Sequence, residues 1–186
     1  MFNSEIRVLV MASGSPLGQS ILKALQLSKL KIKIYVSDIN DFAAGFYFND
    51  VNRIVLPPLK CKNYSKELKF FLKKNKVNAI FPVLSIEHDF FFINKSYFKK
   101  HNIEIFSTSK KIYNLCSDKY TSIQFLRDNN FHVPDTVCAN NKTSVDKFLD
   151  RNQFPIFLKP RNGASNKDTF IVQNIDQLNG ILNFYP

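Results

Sequence analysis

Ile6-Arg7-Val8-Leu9-Val10-Met11-Ala12-Ser13-Gly14-Ser15-Pro16-Leu17-Gly18 is the stretch on which the fold of this chain turns. Its first six residues are a β-rich apolar run, and Ala12 to Pro16 has the composition of a turn. Leu17, Ile21, Leu22 and Leu25 then recur at helical spacing. A strand that hands straight over to a helix sets the pattern for the first hundred residues. Ile32 to Val36 is a second strand ending at Ser37-Asp38, followed by a short helix around Asp41 to Phe46. A third strand over Arg53 to Leu56 is closed by Pro57-Pro58. Tyr64, Leu68, Phe71 and Leu72 make one helical face, and Ala79 to Phe81 is a fourth strand cut by Pro82. A Phe-rich helix is expected over Glu87 to Lys99, and a fifth short strand over Ile103 to Phe106. Alternation of this kind with short connections predicts an α/β fold with a doubly wound, Rossmann-like parallel sheet over residues 1–107. The chemistry of such sheets gathers at the carboxyl ends of the strands, where Gly14, Asp38, Pro57 and Pro82 to Glu87 fall.

The pattern changes in residues 108–186, read as a partial α+β subdomain. A short helix over Lys110 to Leu115 leads into Ser117-Asp118-Lys119, the cap and first turn of a helix from Tyr120 to Asn129. Thr136 to Cys138 is expected as a short strand. Thr143 with Asp146 three residues on resembles a capping box. Strand character returns over Phe154 to Leu158 and Thr169 to Val172, separated by the basic loop Lys159 to Lys167. A last helix uses Leu178, Ile181 and Leu182. Two strands and a helix do not enclose a core, so this second part reads as an incomplete domain.

Composition narrows the function classes. The chain has 186 residues and a formal net charge of +11. Residues 1–115 hold 18 Lys/Arg against 8 Asp/Glu, and residues 116–186 hold 8 against 7, so the excess is in the first part. A basic patch attracts nucleic acid or acidic partners. Yet the 26 basic residues include only 5 Arg, the side chain that readers of base edges favour, which argues against nucleic-acid binding. No apolar run approaches the roughly 18 residues of a membrane-spanning helix, and no secretory leader is visible. Three scattered cysteines, Cys61, Cys116 and Cys138, make neither a disulfide framework nor a zinc site. A soluble cytoplasmic protein is expected.

Three groups of residues carry candidate chemistry. Gly14-Ser15-Pro16-Leu17-Gly18 follows a strand and opens a helix, where backbone N–H groups can meet a phosphate, with Asp38 accepting from a ribose hydroxyl. The alternative is a tight strand-to-helix turn. The dinucleotide fingerprint G-x-G-x-x-G has Ala12 at its first position here, which favours the turn. Glu87, His88 and Asp89 either hold a substrate or cation, or form a solvated helix start, where acids are favoured by the helix dipole. Their position favours the helix start. Lys119 opens a helix beside a cap, and Lys159 leaves an apolar strand before a glycine-containing basic loop, an arrangement suited to clamping phosphate.

These residues carry a resemblance. Asp118-Lys119-Tyr120 with Phe131-His132-Val133-Pro134-Asp135-Thr136 resembles the family pattern "DK … gi-x-vP-x-t". Phe154-Pro155-Ile156-Phe157-Leu158-Lys159-Pro160-Arg161-Asn162-Gly163-Ala164-Ser165 resembles its "fPvivKP…G-x-S". Together they are similar to the ATP-grasp superfamily, above all to the branch of the carbamoyl-phosphate synthase large subunit. Val8 to Gly18, the Val36-Ser37-Asp38 strand end and Phe81-Pro82-Val83-Leu84-Ser85-Ile86-Glu87 resemble that branch's pre-ATP-grasp domain.

The resemblance implies a pre-ATP-grasp domain in residues 1–107 and the opening part of an ATP-grasp domain in 108–186. It implies ATP contacts by Lys119, Lys159, Gly163, Ala164 and Ser165, and substrate-side loops at Gly14, Ser15, Asp38 and Glu87. The implied reaction is ligation: ATP phosphorylates a carboxylate, and an amine or other nucleophile displaces the phosphate. ATP and Mg2+ would be required, with the metal ligands and the adenine grip outside these residues, on the remainder of the domain or a partner chain. The 186 residues alone are accordingly expected to be inactive as a ligase, as a truncated piece or a shortened gene product. Ser85 stands where the family often has an acid, and Asn166-Lys167-Asp168 follows where it often has another Gly. Homo-oligomerisation through uncovered apolar surface is a further expectation. Two other readings stay open: a non-catalytic interaction module with a basic face, and a Rossmann-like dinucleotide-binding protein.

Overall fold

The computed structural model describes residues 5–163 and 166–185 and divides the chain into two compact units, residues 1–108 and 109–186. In unit 1 the elements run β1 (Ile6–Val10), α1 (Pro16–Leu27), β2 (Ile32–Asp38), a 3-10 turn (Ala44–Tyr47), β3 (Val51–Val55) and α2 (Tyr64–Asn75). They continue with β4 (Ala79–Phe81), α3 (Ser85–Ile93), α4 (Lys95–Lys100) and β5 (Glu104–Ile105). The five strands form one wholly parallel sheet in the order β3-β2-β1-β4-β5. Chain order reverses on either side of β1, so the switch point of the sheet lies between β1 and β4.

Alternation along β1 explains why the sheet is buried on both sides. Val8 and Val10 join Leu22, Ile34 and Val36 in one core, while Leu9 and Met11 join Leu68, Leu72, Ile80 and Phe98 in the other. Helix α1 starts at Ser15, whose hydroxyl accepts from the Gly18 N–H, with Pro16 at the first helical position. Gly18 is required by contact: a Cβ there would stand 2.5 Å from the Ala12 carbonyl oxygen. This lets α1 lie directly on the loop leaving β1.

Three expected elements of unit 1 differ in form or extent. The single Phe-rich helix is two helices, α3 and α4, joined at Asn94, whose side chain donates to the Phe90 carbonyl. An Asn amide that bonds its own backbone competes with helix continuation. The short helix around Asp41 is the 3-10 turn three residues later, and β3 begins at Val51 rather than Arg53.

Unit 2 comprises α5 (Lys110–Ser117), α6 (Lys119–Asp128), α7 (Lys142–Leu149), β6 (Ile156–Leu158), β7 (Phe170–Val172) and α8 (Ile175–Phe184). Strands β6 and β7 pair antiparallel, with Ile156 opposite Val172 and Leu158 opposite Phe170. Asp118 caps α6 as expected, accepting from the Thr121 N–H at 3.0 Å. The α7 cap is Asn141, which accepts from the Ser144 N–H, so the expected box on Thr143 does not form. Thr136 to Cys138 is not a strand, since no neighbouring backbone pairs with it among the described residues.

Candidate functional site

Each unit carries a cavity. In unit 2 a cavity of about 290 Å³ is lined by Lys119, Phe157, Lys159, Pro160, Gly163, Asn166, Lys167 and Thr169. Lys159 follows β6 directly, and Thr169 immediately precedes β7. Lys119 reaches the same cavity as the first residue of α6, held there by the Asp118 cap. Its ammonium donates to the Pro160 carbonyl at 3.1 Å and to the Gly163 carbonyl at 3.0 Å, and its backbone N–H donates to the Arg161 carbonyl at 2.9 Å. Arg161 in turn pairs with Asp118 and lies over the Tyr120 ring. The start of α6 is thereby tied to the basic loop by three hydrogen bonds, an ion pair and a cation–ring contact. The Asp118 carboxyl is held below the ordinary carboxylate range, first by the hydrogen bond from Arg161 and then by the Thr121 N–H.

The Lys159 side chain makes no hydrogen bond or ion pair to another described residue, and it lines the cavity. Lys167 lines the same space. Two free ammonium groups, a threonine and a glycine-containing loop make a cationic, donor-rich cavity suited to an anion carrying several oxygens. No carboxylate is among its described lining residues. Elsewhere too, among the described residues, no group of three or more His, Cys, Asp or Glu is placed to hold a metal.

In unit 1 a larger cavity of about 600 Å³ opens at the carboxyl ends of β1, β2, β3 and β4. Gly14, Ser15, Asp38 and Glu87 all line it, so these four residues, far apart in sequence, share one space. The glycine loop is tied to the end of β2. Gly14 N–H donates to Asp38 Oδ2 at 2.9 Å, Ser13 N–H to the Ser37 carbonyl, and Ser15 N–H to the Ala12 carbonyl. The N–H groups of Ser13, Gly14 and Ser15 are therefore occupied, and Asp38 braces the loop. This matches the tight-turn reading.

Glu87 departs from the expected solvated helix start. It is 8% exposed, and its Oε2 accepts from the Val83 N–H at 2.7 Å and the Leu84 N–H at 2.9 Å. Burial pushes its carboxyl above the ordinary range, against those two donors, and the nearby Asp38 charge adds to the rise. Its place is among the residues that line the cavity, with the ends of β1, β2 and β3 and the start of α3. His88, its neighbour, stands aside, with Nδ1 2.6 Å from Ser107 Oγ.

Solved structures share this arrangement of the backbone. The biotin carboxylase domain of Hydrogenobacter thermophilus 2-oxoglutarate carboxylase, solved with MgADP and bicarbonate, superposes with a TM-score of 0.68 at 15% identity, over 96% of this chain and 39% of that one. N5-carboxyaminoimidazole ribonucleotide synthetase of Thermus thermophilus gives 0.62 at 15% identity, over 96% and 42%. L-amino acid ligase of Bacillus licheniformis gives 0.59 at 13% identity, over 98% and 42%. The fold is shared with part of each of these enzymes. An uncharacterized protein of Methanocaldococcus jannaschii is 29% identical over 140 residues, covering 72% of this chain and 35% of its own length. The chain thus spans about two fifths or less of the relatives it matches. No family model matches the sequence.

Of the residues expected from the ATP-grasp likeness, Lys119, Lys159 and Gly163 meet in the unit 2 cavity, while Ala164 and Ser165 lie outside the described residues. Sequence reasoning missed Lys167 and Thr169, which sit in or beside the basic loop that it did single out. It also placed Tyr64 only on an apolar helix face. Tyr64 lines the unit 1 cavity with its hydroxyl buried and without a hydrogen-bond partner among the described residues. No helix among the described residues is long and apolar enough to cross a membrane.

Proposed function

We propose that this chain is the amino-terminal portion of an ATP-dependent ligase of the ATP-grasp type, similar to the carbamoyl-phosphate synthase large subunit in its motif order. Residues 1–107 correspond to the pre-ATP-grasp domain and 108–186 to the opening of the ATP-grasp domain. The observation that carries this reading is the convergence of Lys119, Lys159 and Gly163 on one cationic cavity in unit 2. Lys159 and Lys167 supply positive charge for the phosphate oxygens of ATP. Lys119 acts mainly through the loop, whose carbonyls it holds. Charge placed in advance where phosphoryl oxygens gather is the physical core of phosphoryl transfer.

A magnesium ion at this cavity would depend on the nucleotide's own phosphates and on ligands outside its described lining, which offers no carboxylate. The unit 1 cavity is the substrate side, with Gly14, Ser15, Asp38 and Glu87 at its wall. The reaction supported is phosphorylation of a carboxylate followed by attack of an amine or other nucleophile, completed by parts of the protein beyond this cavity. Calorimetry with MgATP on the chain and on Lys159→Ala tests it. Saturable binding that weakens about ten-fold or more in the variant is expected. Equal binding by both proteins would remove Lys159 from the clamp and the reading with it.

A further inference from the structure

The two helical layers of unit 1 differ in charge. Helices α1 and α2 have twelve residues each, yet α1 carries one lysine, Lys23, and α2 carries four, Lys66, Lys69, Lys73 and Lys74. Leu22 of α1 belongs to the core on one side of the sheet, and Leu68 and Leu72 of α2 to the core on the other. Helix α4 lies in the α2 layer, with Phe98 in the same core, and adds Lys95, Lys99 and Lys100. The acids on the helices of that layer are Glu67, Asp89 and the buried Glu87. Basic charge is therefore gathered on one layer rather than spread evenly over both. The Lys69 ammonium stands 4.5 Å from the Tyr97 ring centre and donates to Asn94 Oδ1 at 3.4 Å, which joins α2 to the start of α4. No lysine of α2 or α4 belongs to an ion pair among the described residues. On α2, Lys66, Phe70, Lys73 and Lys74 are exposed on the side opposite Leu68 and Leu72, and the Phe70 ring is 66% exposed. A large ring among unpaired lysines makes an apolar anchor with a cationic rim.

We propose that the α2–α4 surface docks an acidic segment of a partner protein, with carboxylates meeting the lysines and an apolar side chain meeting Phe70. Charge complementarity selects a carboxylate-rich partner and steers its approach. A second copy of this chain does not fit, since two such faces would set lysine against lysine in a chain of net charge +11. A nucleic-acid strand is read by arginine forks or by a run of stacked rings. Helices α2 and α4 contain no Arg, and Phe70 is their one exposed ring. An anionic lipid surface draws its binding from buried apolar area as well as from charge, and a single ring supplies little of the first. The docking surface lies wholly within unit 1 and does not depend on the ligase reading.

The test uses the full 186-residue chain and a fluorescent peptide of three Glu-Glu-Leu-Glu repeats, followed by anisotropy at neutral pH. Saturable binding is expected at about 50 mM salt, weakening about ten-fold or more at about 500 mM. Lys73→Glu, on the surface of α2, should weaken the peptide about five-fold or more. Lys23→Glu makes the same change in net charge on α1 and should alter binding less than about two-fold. Phe70→Ser should weaken the peptide about three-fold or more at either salt concentration, because it removes apolar contact and no charge. Equal losses from Lys73→Glu and Lys23→Glu would show attraction to net charge alone and overturn the docking surface. So would the absence of saturable peptide binding at about 50 mM salt. Tighter binding of an oligouridylate of the same length, or of phosphatidylserine vesicles, than of the peptide would overturn the choice of an acidic protein segment.

Discussion

Unit 1 and unit 2 are held together in different ways. The central strand of unit 1 has Leu9 and Val10 wholly buried, with apolar layers on both faces of the sheet. In unit 2 only Val172 and Leu178 are buried apolar residues among those described, and α5, α6 and α7 bury none. Cohesion there depends much more on polar ties, above all those of Asp118, Lys119 and Arg161 to the loop and to one another. Labour is divided accordingly. A close-packed sheet fixes the cavity at its strand ends, while a lightly packed unit presents a cationic loop whose shape is set by hydrogen bonds. Elements with few buried contacts open most readily, and ligand-clamping segments are drawn from that class.

Truncation of the two interiors should separate the units most widely. Leu9→Ala should cost unit 1 about 2–5 kcal/mol. Phe125→Ala on α6, where the ring is already half exposed, should cost unit 2 under about 1 kcal/mol. Denaturant unfolding followed by hydrogen exchange in each unit checks the pair, and equal losses would erase the contrast. Next in size is a pair of glycines. Gly18→Ala drives a methyl against the Ala12 carbonyl and should cost about 1–3 kcal/mol. Gly180→Ala meets nothing within 4 Å in α8 and should gain up to about 1 kcal/mol. Thermal unfolding of the two variants should therefore shift in opposite directions.

The two units should also answer pH with opposite signs. Glu87 has its folded pKa raised above the ordinary 4.5 by burial, so its contribution is complete below that value and is lost as pH rises through the folded pKa. Asp118 and Asp135 are lowered from 3.8, first by hydrogen bonds from Arg161 and Asn152 respectively. Their contribution is present above 3.8 and is lost as pH falls through the lowered values. Raising pH from 4.5 should thus weaken unit 1 by an amount that Glu87→Gln abolishes, while acidification below 3.8 weakens unit 2. Unfolding midpoints across roughly pH 3 to 8 with unit-specific probes decide it, and a common slope for both units would contradict the assignment. An ionic effect comes last in size: the Asp118–Arg161 pair faces solvent, so added salt should loosen unit 2 slightly, whereas in unit 1 it screens the repulsion among the excess of lysines.

Much of the architecture is legible in the sequence because it depends on local pattern. Apolar runs at 6–11, 32–36 and 79–81, each followed by a turn and a helical periodicity, are enough to predict a doubly wound sheet. The Asp118 cap is equally readable, since an acid before a helix start acts through its own next turn. Burial and partnership at a distance are not readable in this way. Glu87 resembles any acid at a helix start until β1, β2 and β3 bring their ends around it. Tyr64 belongs to an apolar stripe by spacing, and only the cavity beside it isolates its hydroxyl. Asn94 divides a helix by a choice between two hydrogen bonds that spacing does not encode, and Asn141 displaces Thr143 as a cap for the same reason. The setting of Lys119 and Lys159 marks them as a pair, but that Lys119 holds loop carbonyls while Lys159 stays free depends on how the loop closes.

Under the proposed function the nucleotide belongs at the loop of unit 2 and not at the glycine turn of unit 1. Backbone amide chemical-shift mapping of the labelled chain during titration with MgATP discriminates between the two places. Saturable shifts at Gly163, Lys167 and Thr169 are expected, with Ala12, Gly14 and Asp38 unmoved. Shifts centred on Gly14 and Asp38, or no saturable shift in unit 2, would contradict the assignment.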